Sequence, residues 1–295
     1  MKLNELGEDE VIRGLTRGLK LDRRVVLGPG DDCAVVKTAG NLQLLKSDCI
    51  VEGIHFLADA DPMWVGWKAM CRSISDIASM GGLPLDALVT VAIRSDVEFE
   101  WLKELYRGLR KAASTYLVNL VGGETARSPG PLFLSVTLTG MAEKGKYVSR
   151  SGGRRGDWLF VTGKLGGSID GKHLRFSPRV REARWLVGRF PIHAMMDLSD
   201  GLGSDLPRLA AASGVGFEVA LKNLPLNKGC VPENAVRDGE DYELLFAVPR
   251  AVKSRLEFEW KKAFPRLQLT PIGRLVDSGR YEFEQKGFDH FRGST

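Results

Sequence analysis

Arg24-Val25-Val26-Leu27-Gly28-Pro29-Gly30-Asp31-Asp32-Cys33-Ala34-Val35-Val36-Lys37 reads as two β-branched runs joined by a glycine–proline turn that carries two adjacent acids. Gly, Pro and Asp are ordinary turn residues, so a plain surface turn explains the stretch as well as a ligand site does. A tight hairpin, however, has no need of both carboxylates. Adjacent acids on a rigid turn can direct one oxygen to a cation and another to the backbone.

Outward from this turn, strands and helices alternate. Residues 42–46 form an apolar run ending at Ser47-Asp48. From Pro62 to Met80 the pattern becomes helical, with Trp64, Trp67, Met70, Ile74, Ile77 and Met80 at helical spacing and Pro62 suited to a first turn. Gly81-Gly82 and Pro84 stop that helix. Residues 87–93 read as a strand, 98–116 as an amphipathic helix, and 117–121 and 132–139 as strands. The chain turns polar and glycine-rich over residues 150–157, which predicts a boundary between a domain at 1–150 and another at 151–295. The second half carries strands at 158–162, 216–221 and 242–248 and helices near 179–189 and 203–213. The expected class is α/β or α+β with two domains.

Across both halves, acids recur in glycine-rich or small-residue strings: Asp31-Asp32, Ser47-Asp48, Ser75-Asp76, Gly122-Gly123-Glu124-Thr125, Asp197-Leu198-Ser199-Asp200-Gly201 and Gly239-Glu240-Asp241. Carboxylates that converge in one cleft need a cation. With no His/Cys cluster near them, the fitting cation is a hard one held by oxygen, above all Mg²⁺. Several such ions together point to phosphate chemistry. Each string has an ordinary alternative. Asp48 can be a strand-end acid, His55 a satisfied core histidine, and Asp76 an ion-pair partner of Arg72 one turn earlier. Ser199 or Asp200 can be a helix cap. A cap does not explain Asp197, and a buried Asp76 needs compensation.

The 295 residues are 43% hydrophobic and 27% charged, enough for a proper core and incompatible with disorder. The net charge of +5 is dispersed, which argues against a nucleic-acid surface and suits small phosphorylated ligands equally well. Cys33, Cys49, Cys71 and Cys230 form no C-x-x-C pair and read as reduced thiols. The acidic N-terminus does not resemble a signal peptide, and no apolar run is long enough to span a bilayer. A cytoplasmic protein with no membrane or nucleic-acid partner is expected. Gly166-Gly167-Ser168-Ile169-Asp170-Gly171-Lys172 approaches a phosphate-binding P-loop, but His173 stands where the Mg²⁺-binding hydroxyl belongs. Cys33 likewise breaks the dinucleotide fingerprint begun at Gly28.

Taken in order, the strings resemble the thiamine-monophosphate kinases nearly end to end. They are Gly30-Asp31-Asp32-Cys33-Ala34, Asp48 with Val51-Glu52-Gly53 and His55-Phe56, Lys68-Ala69-Met70 with Ser75-Asp76-Ile77-Ala78, and Gly122-Gly123-Glu124-Thr125. Ser149-Arg150-Ser151-Gly152, Asp197 to Leu202, Gly239 to Leu244 and Gly287-Phe288-Asp289-His290-Phe291 complete the series. That family resembles aminoimidazole-ribonucleotide synthetase in fold. The resemblance implies an N-terminal α/β domain that pairs in a homodimer and binds ATP and Mg²⁺, closed by a C-terminal α/β domain. It implies several magnesium ions held by Asp32, Ser47, Asp48, Asp76, Glu124, Asp197 and Asp200. Tyr106, Gly123, Glu124, Arg150 and Ser199 would meet the nucleotide, and His55, Glu240 and Phe288 would meet thiamine monophosphate. Asp76, Asp197 and Arg150 would be central to catalysis. Two departures stand out: Glu124 where the family usually has Asp, and a short stretch from Gly163 to His173. Related branches of the fold carry out ATP-dependent ligation or selenide activation, and a catalytically silent nucleotide sensor is a rival of another class. The selenide-activating type is expected to carry a reactive Cys near its start, and no cysteine precedes Cys33.

Overall fold

The computed structural model describes residues 3–277 and 282–291, so the outer ends of the two expected domains lie outside the described residues. The helices are α1 (Leu3–Leu6), α2 (Glu8–Thr16), α3 (Pro62–Ser79), α4 (Phe99–Thr115), α5 (Lys172–Arg175), α6 (Val180–Arg189), α7 (Leu202–Ser213), α8 (Pro232–Arg237) and α9 (Lys253–Ala263). Strands β1 (Val25–Leu27), β2 (Ala34–Lys37), β3 (Leu42–Val51), β4 (Leu83–Ile93), β5 (Asn119–Arg127) and β6 (Phe133–Ala142) build a first sheet in the order β1-β2-β3-β6-β4-β5. Strands β7 (Trp158–Thr162), β8 (Ala194–Asp197), β9 (Gly216–Val219), β10 (Leu244–Val248) and β11 (Leu269–Val276) build a second, antiparallel sheet in the order β8-β10-β7-β11-β9. In the first sheet β4 and β5 are parallel, and α4 supplies the crossover that parallel neighbours require.

Helix α3 is the element both halves share. Asp61 caps it by accepting a hydrogen bond from the backbone N–H of Met63, and Pro62 opens its first turn. Fourteen of its eighteen residues are buried, so it has no solvent face of the kind a surface helix keeps. It packs on β3 and β6 of the first sheet and also on α6 and β8 of the second half. Its contact with α4 is close enough to need glycine on both sides. A Cβ on Gly66 would sit 2.0 Å from the carbonyl oxygen of Leu105, and one on Gly108 would sit 1.8 Å from that of Met63.

Two strands run further than the sequence suggested. The expected strand over 42–46 continues through Ser47 and Asp48 to Val51, paired residue for residue with β6. The strand expected to end at residue 121 continues through Gly122-Gly123-Glu124-Thr125 to Arg127, paired with β4. Polar and glycine residues are poor strand formers, and it is the continuous ladder to apolar β6 and β4 that carries them.

Replacing Gly108 with Ala forces the α3–α4 contact apart. The expected cost is about 1–3 kcal/mol in urea-induced unfolding, and an unchanged midpoint would show that the helices are not in contact there.

Candidate active site

Three acids from distant stretches meet where the two sheets face each other across α3. Asp32 comes from the turn before β2, Asp76 from the last turn of α3, and Asp197 from the end of β8. Each offers an oxygen, and these oxygens all lie within 4.8 Å of one another. The three residues are only 2%, 8% and 3% exposed. Their neighbours hold them in place. Ser79 Oγ donates to Asp32 at 2.6 Å, Ser75 Oγ donates to Asp197, and Arg150 Nε donates to Asp32 at 2.9 Å. Asp31 accepts the backbone N–H of Arg150 and of Asp32, each at 3.0 Å. The adjacent acids of the turn therefore divide the two tasks between them, one taking the backbone and the other the cluster.

Asp48 joins from the middle of β3. Lys46, two residues earlier on the same face, puts its ammonium 3.2 Å from Asp48 and 3.0 Å from Asp76. Asp76 is thus paired with Lys46 rather than with Arg72, whose guanidinium donates to the carbonyl of Cys49 at 3.0 Å. Burial raises the pKa of Asp76 well above the usual carboxylate range, and the neighbouring Asp48, Asp197 and Asp32 add to this against the pull of Lys46. Asp197 is pushed to about 7, first by burial and then by Asp32. Burial also opposes the charge on Asp48, but Lys46 and Arg72 outweigh it and hold that acid at about 2. With no divalent ion, the cluster keeps protons to limit its own repulsion. An all-oxygen set this close together, buried and short of positive charge, fits a hard cation such as Mg²⁺.

Other expected site residues stand elsewhere. Strand residues alternate faces, so Ser47 and Asp48 point to opposite sides of β3. Asp48 faces α3, whereas Ser47 is exposed on the outer face and bonds Thr137 at 3.1 Å. Glu124 shares that outer face through the pairing of Cys49, Ser135, Thr90 and Glu124 across the four strands. The family resemblance implies that Ser47 and Glu124 join Asp48 around a metal, but here both lie in strands with the opposite facing. Within one chain their side chains do not reach the cluster. Gly123 has a reason internal to the fold, since a Cβ there would lie 1.8 Å from the carbonyl oxygen of Val89. Tyr106 lies on α4 against the core of the first half.

Two cavities share a wall, and the larger reaches Asp48 and Asp76. One of 600 Å³ is lined by Asp31, Asp48, Asp76 and Arg150 among others, and one of 390 Å³ by His55, Glu240 and Phe288 among others. Arg72, Ser199, Asp200 and His290 line both. Asp200 is not part of the close triad. Arg208 holds its carboxylate, and Arg208 also meets buried Asp205 at 3.2 Å. Neither Ser199 nor Asp200 caps α7, whose cap position is Gly201 with no side-chain bond.

In the smaller cavity, Glu240 is not a free carboxylate. Lys68, fully buried on α3, reaches it at 2.6 Å and also donates to the carbonyl of His55. The backbones of Glu240 and Tyr242 are left-handed, at φ 53° and 51°, a conformation that costs energy in residues other than glycine. Burial, the largest cause, depresses the His55 pKa to about 3, so its ring is neutral, and its Nδ1 accepts the N–H of Val51 at 3.0 Å. The rings of His55 and His290 lie 5.1 Å apart, and Phe288 meets His290 edge-on at 4.9 Å. Trp64, on α3, packs edge-on against Trp67. The P-loop-like stretch is accounted for within the fold. The amides of Gly166 and Gly167 donate to Asp241 and Asp238, and Lys172 lies near Asp241 and Glu243.

Comparison with known proteins agrees with this layout. Residues 30–142 match the family model for the N-terminal domain of AIR synthase related proteins, and residues 147–286 match that for the C-terminal domain. A thiamine-monophosphate kinase of Rhodopirellula baltica is 40% identical over 90% of this chain and 87% of its own length. That of Aquifex aeolicus is 34% identical over 99% of this chain and all of its own. A solved structure described as AaThiL complexed with AMPPCP and TMP superposes with a TM-score of 0.85 at 32% identity, covering 98% of this chain and 99% of the other. Hydrogenase maturation protein HypE, at 17% identity and a TM-score of 0.68, shares the fold alone.

The raised pKa of Asp197 predicts a pH effect on the metal-free protein. Its neutral form is favoured on folding, so its contribution to stability is complete below about pH 4 and is lost as pH rises to about 7. Asp31, raised to about 6, adds to the same slope. The expected calorimetric result is a melting temperature that falls across that window in EDTA and falls less in Mg²⁺. Parallel profiles in the two buffers would contradict the cluster's need for a cation.

Proposed function

The chain belongs to the thiamine-monophosphate kinases of the AIR synthase related family, and we propose that it transfers the γ-phosphoryl group of ATP to thiamine monophosphate, giving ADP and thiamine diphosphate. One observation carries the mechanism. Buried carboxylates contributed by both halves of the chain converge, and Asp48 and Asp76 among them line a cavity that shares a wall with a second one.

The acceptor is an ionised phosphate oxygen, so the reaction needs no strong general base. The obstacle is the repulsion between two polyanions that must meet in line. We take Asp32, Asp48, Asp76 and Asp197 as the residues that hold Mg²⁺, which when bound supplies positive charge to the phosphates. Arg150 stands ready on Asp32, and Ser199 lies on the shared wall. Arg72 brings a permanent charge to that wall, where donor and acceptor phosphates would approach each other. The larger cavity suits the nucleotide. The smaller suits the vitamin, with His55, His290 and Phe288 offering aromatic surface to a cationic thiazolium and its pyrimidine. Glu240, tied to Lys68, serves as a fixed acceptor rather than as a lone counter-charge.

We further propose that residues 1–150 form the nucleotide- and metal-binding half and that 151–295 close the cleft. A homodimer would use the outer face of the first sheet, where Leu45, Leu88 and Phe133 are exposed beside Ser47 and Glu124. Pairing there offers Ser47, Gly123 and Glu124 a route to the nucleotide that one chain does not provide. Four unpaired cysteines fit a reducing cytoplasm, and no helix among the described residues is long and apolar enough to cross a membrane.

Incubation with ATP, Mg²⁺ and thiamine monophosphate is expected to yield thiamine diphosphate, with no turnover of aminoimidazole precursors or selenide. Product from the controls alone would overturn the reading. Asp76→Asn and Asp197→Asn are expected to abolish turnover in folded protein, and near-normal rates in both would remove the metal assignment. Arg72→Met should lower kcat by about 100-fold or more while sparing the KM for ATP. An unchanged kcat excludes Arg72 from the transfer.

A further inference from the structure

Lys46 stands out because a lysine interrupts the apolar inward face of β3, between Leu44 and Ile50, and places its charge inside a cluster of acids. We propose that the Lys46 ammonium occupies a cation position of the phosphoryl-transfer site, between Asp48 and Asp76, so that this chain uses its own side chain where a second divalent ion would otherwise sit. The proposal rests on reading Asp32, Asp48, Asp76 and Asp197 as the metal-binding set.

The geometry supports it in three ways. First, the two ion pairs have normal lengths, 3.2 Å to Asp48 and 3.0 Å to Asp76, so the ammonium bridges the acids as a shared ion would. Second, Asp32 and Asp197 have no ion pair with Lys46 and bring their oxygens within 4.8 Å of each other and of Asp76, a set of three that would hold a metal. Third, the set is short of direct positive charge, since its four carboxylates have two direct ion-pair partners, Lys46 and Arg150. An ammonium carries no open coordination site and cannot polarise a phosphate as a divalent ion does. It neutralises and spaces the acids, and it does so without waiting for magnesium. Arg72, the next cation along, is anchored on the Cys49 carbonyl and faces the cavities, so it does not compete for this position.

The test counts bound Mn²⁺ by electron paramagnetic resonance on the nucleotide-free full chain. Wild-type protein is expected to bind one ion tightly per subunit. Lys46→Ser and Lys46→Met, which both remove the ammonium, are expected to bind one more, and Lys46→Arg, which keeps the charge, the wild-type number. Equal counts in wild type and in either folded lysine-free variant would overturn the proposal. If neither variant folds, the wild-type count decides, because two tight ions there leave no position for the ammonium. The count does not depend on which phosphate acceptor the enzyme uses. A failed kinase assay and a failed count are therefore separate results.

Discussion

The whole arrangement depends on the mutual repulsion of carboxylates buried together. Asp32, Asp76 and Asp197 are drawn from three separate elements and two sheets into a space where their oxygens lie within 4.8 Å. Such a cluster destabilises the fold unless positive charge enters it. Protons, Lys46 and Arg150 supply part of that charge in the structure as it stands. The remainder is a demand for a cation, built into the molecule before any ligand arrives. The same deficit makes the place attractive to a metal–nucleotide complex.

Helix α3 turns this constraint into a mechanism. It is buried between the two halves and carries, along one stretch, Lys68 toward Glu240, Arg72 toward both cavities, Ser75 toward Asp197 and Asp76 into the triad. A single rigid element therefore sets the distance between the vitamin pocket and the nucleotide pocket. The second half contributes β8 and the turn around Glu240, whose left-handed residues hold the pocket wall at a cost in backbone strain. The tight glycine contact of α3 with α4 keeps that helix from shifting against the first sheet.

Much of this was legible in the sequence. The helical spacing from Trp64 to Met80 gave α3 nearly residue for residue, and the acids in small-residue strings marked Asp32, Asp76 and Asp197. Legibility failed where local composition and tertiary pairing disagreed. Ser47-Asp48 and Gly122 to Thr125 look like loops, yet they are strand, and the two-residue period then sends Ser47 and Glu124 to the opposite face from Asp48. Lys46 showed a signal of its own, a charged residue at an inward position of an apolar strand, but its partners lie on other elements or two residues away along the strand. Lys68 and Arg72 looked like the charged residues of an ordinary helix. Their partners, the carbonyls of His55 and Cys49 and the carboxylate of Glu240, come from other parts of the chain. His290 was visible as part of a terminal string, but nothing local ties it to His55.

The most direct measurement is anomalous diffraction from crystals of the full chain grown with Mn²⁺ and a non-hydrolysable ATP analogue. The account predicts a peak within coordination distance of Asp32, Asp76 and Asp197 together, with nucleotide density in the adjoining larger cavity. Manganese bound only elsewhere, with those three carboxylates left bare beside an ordered nucleotide, would contradict it.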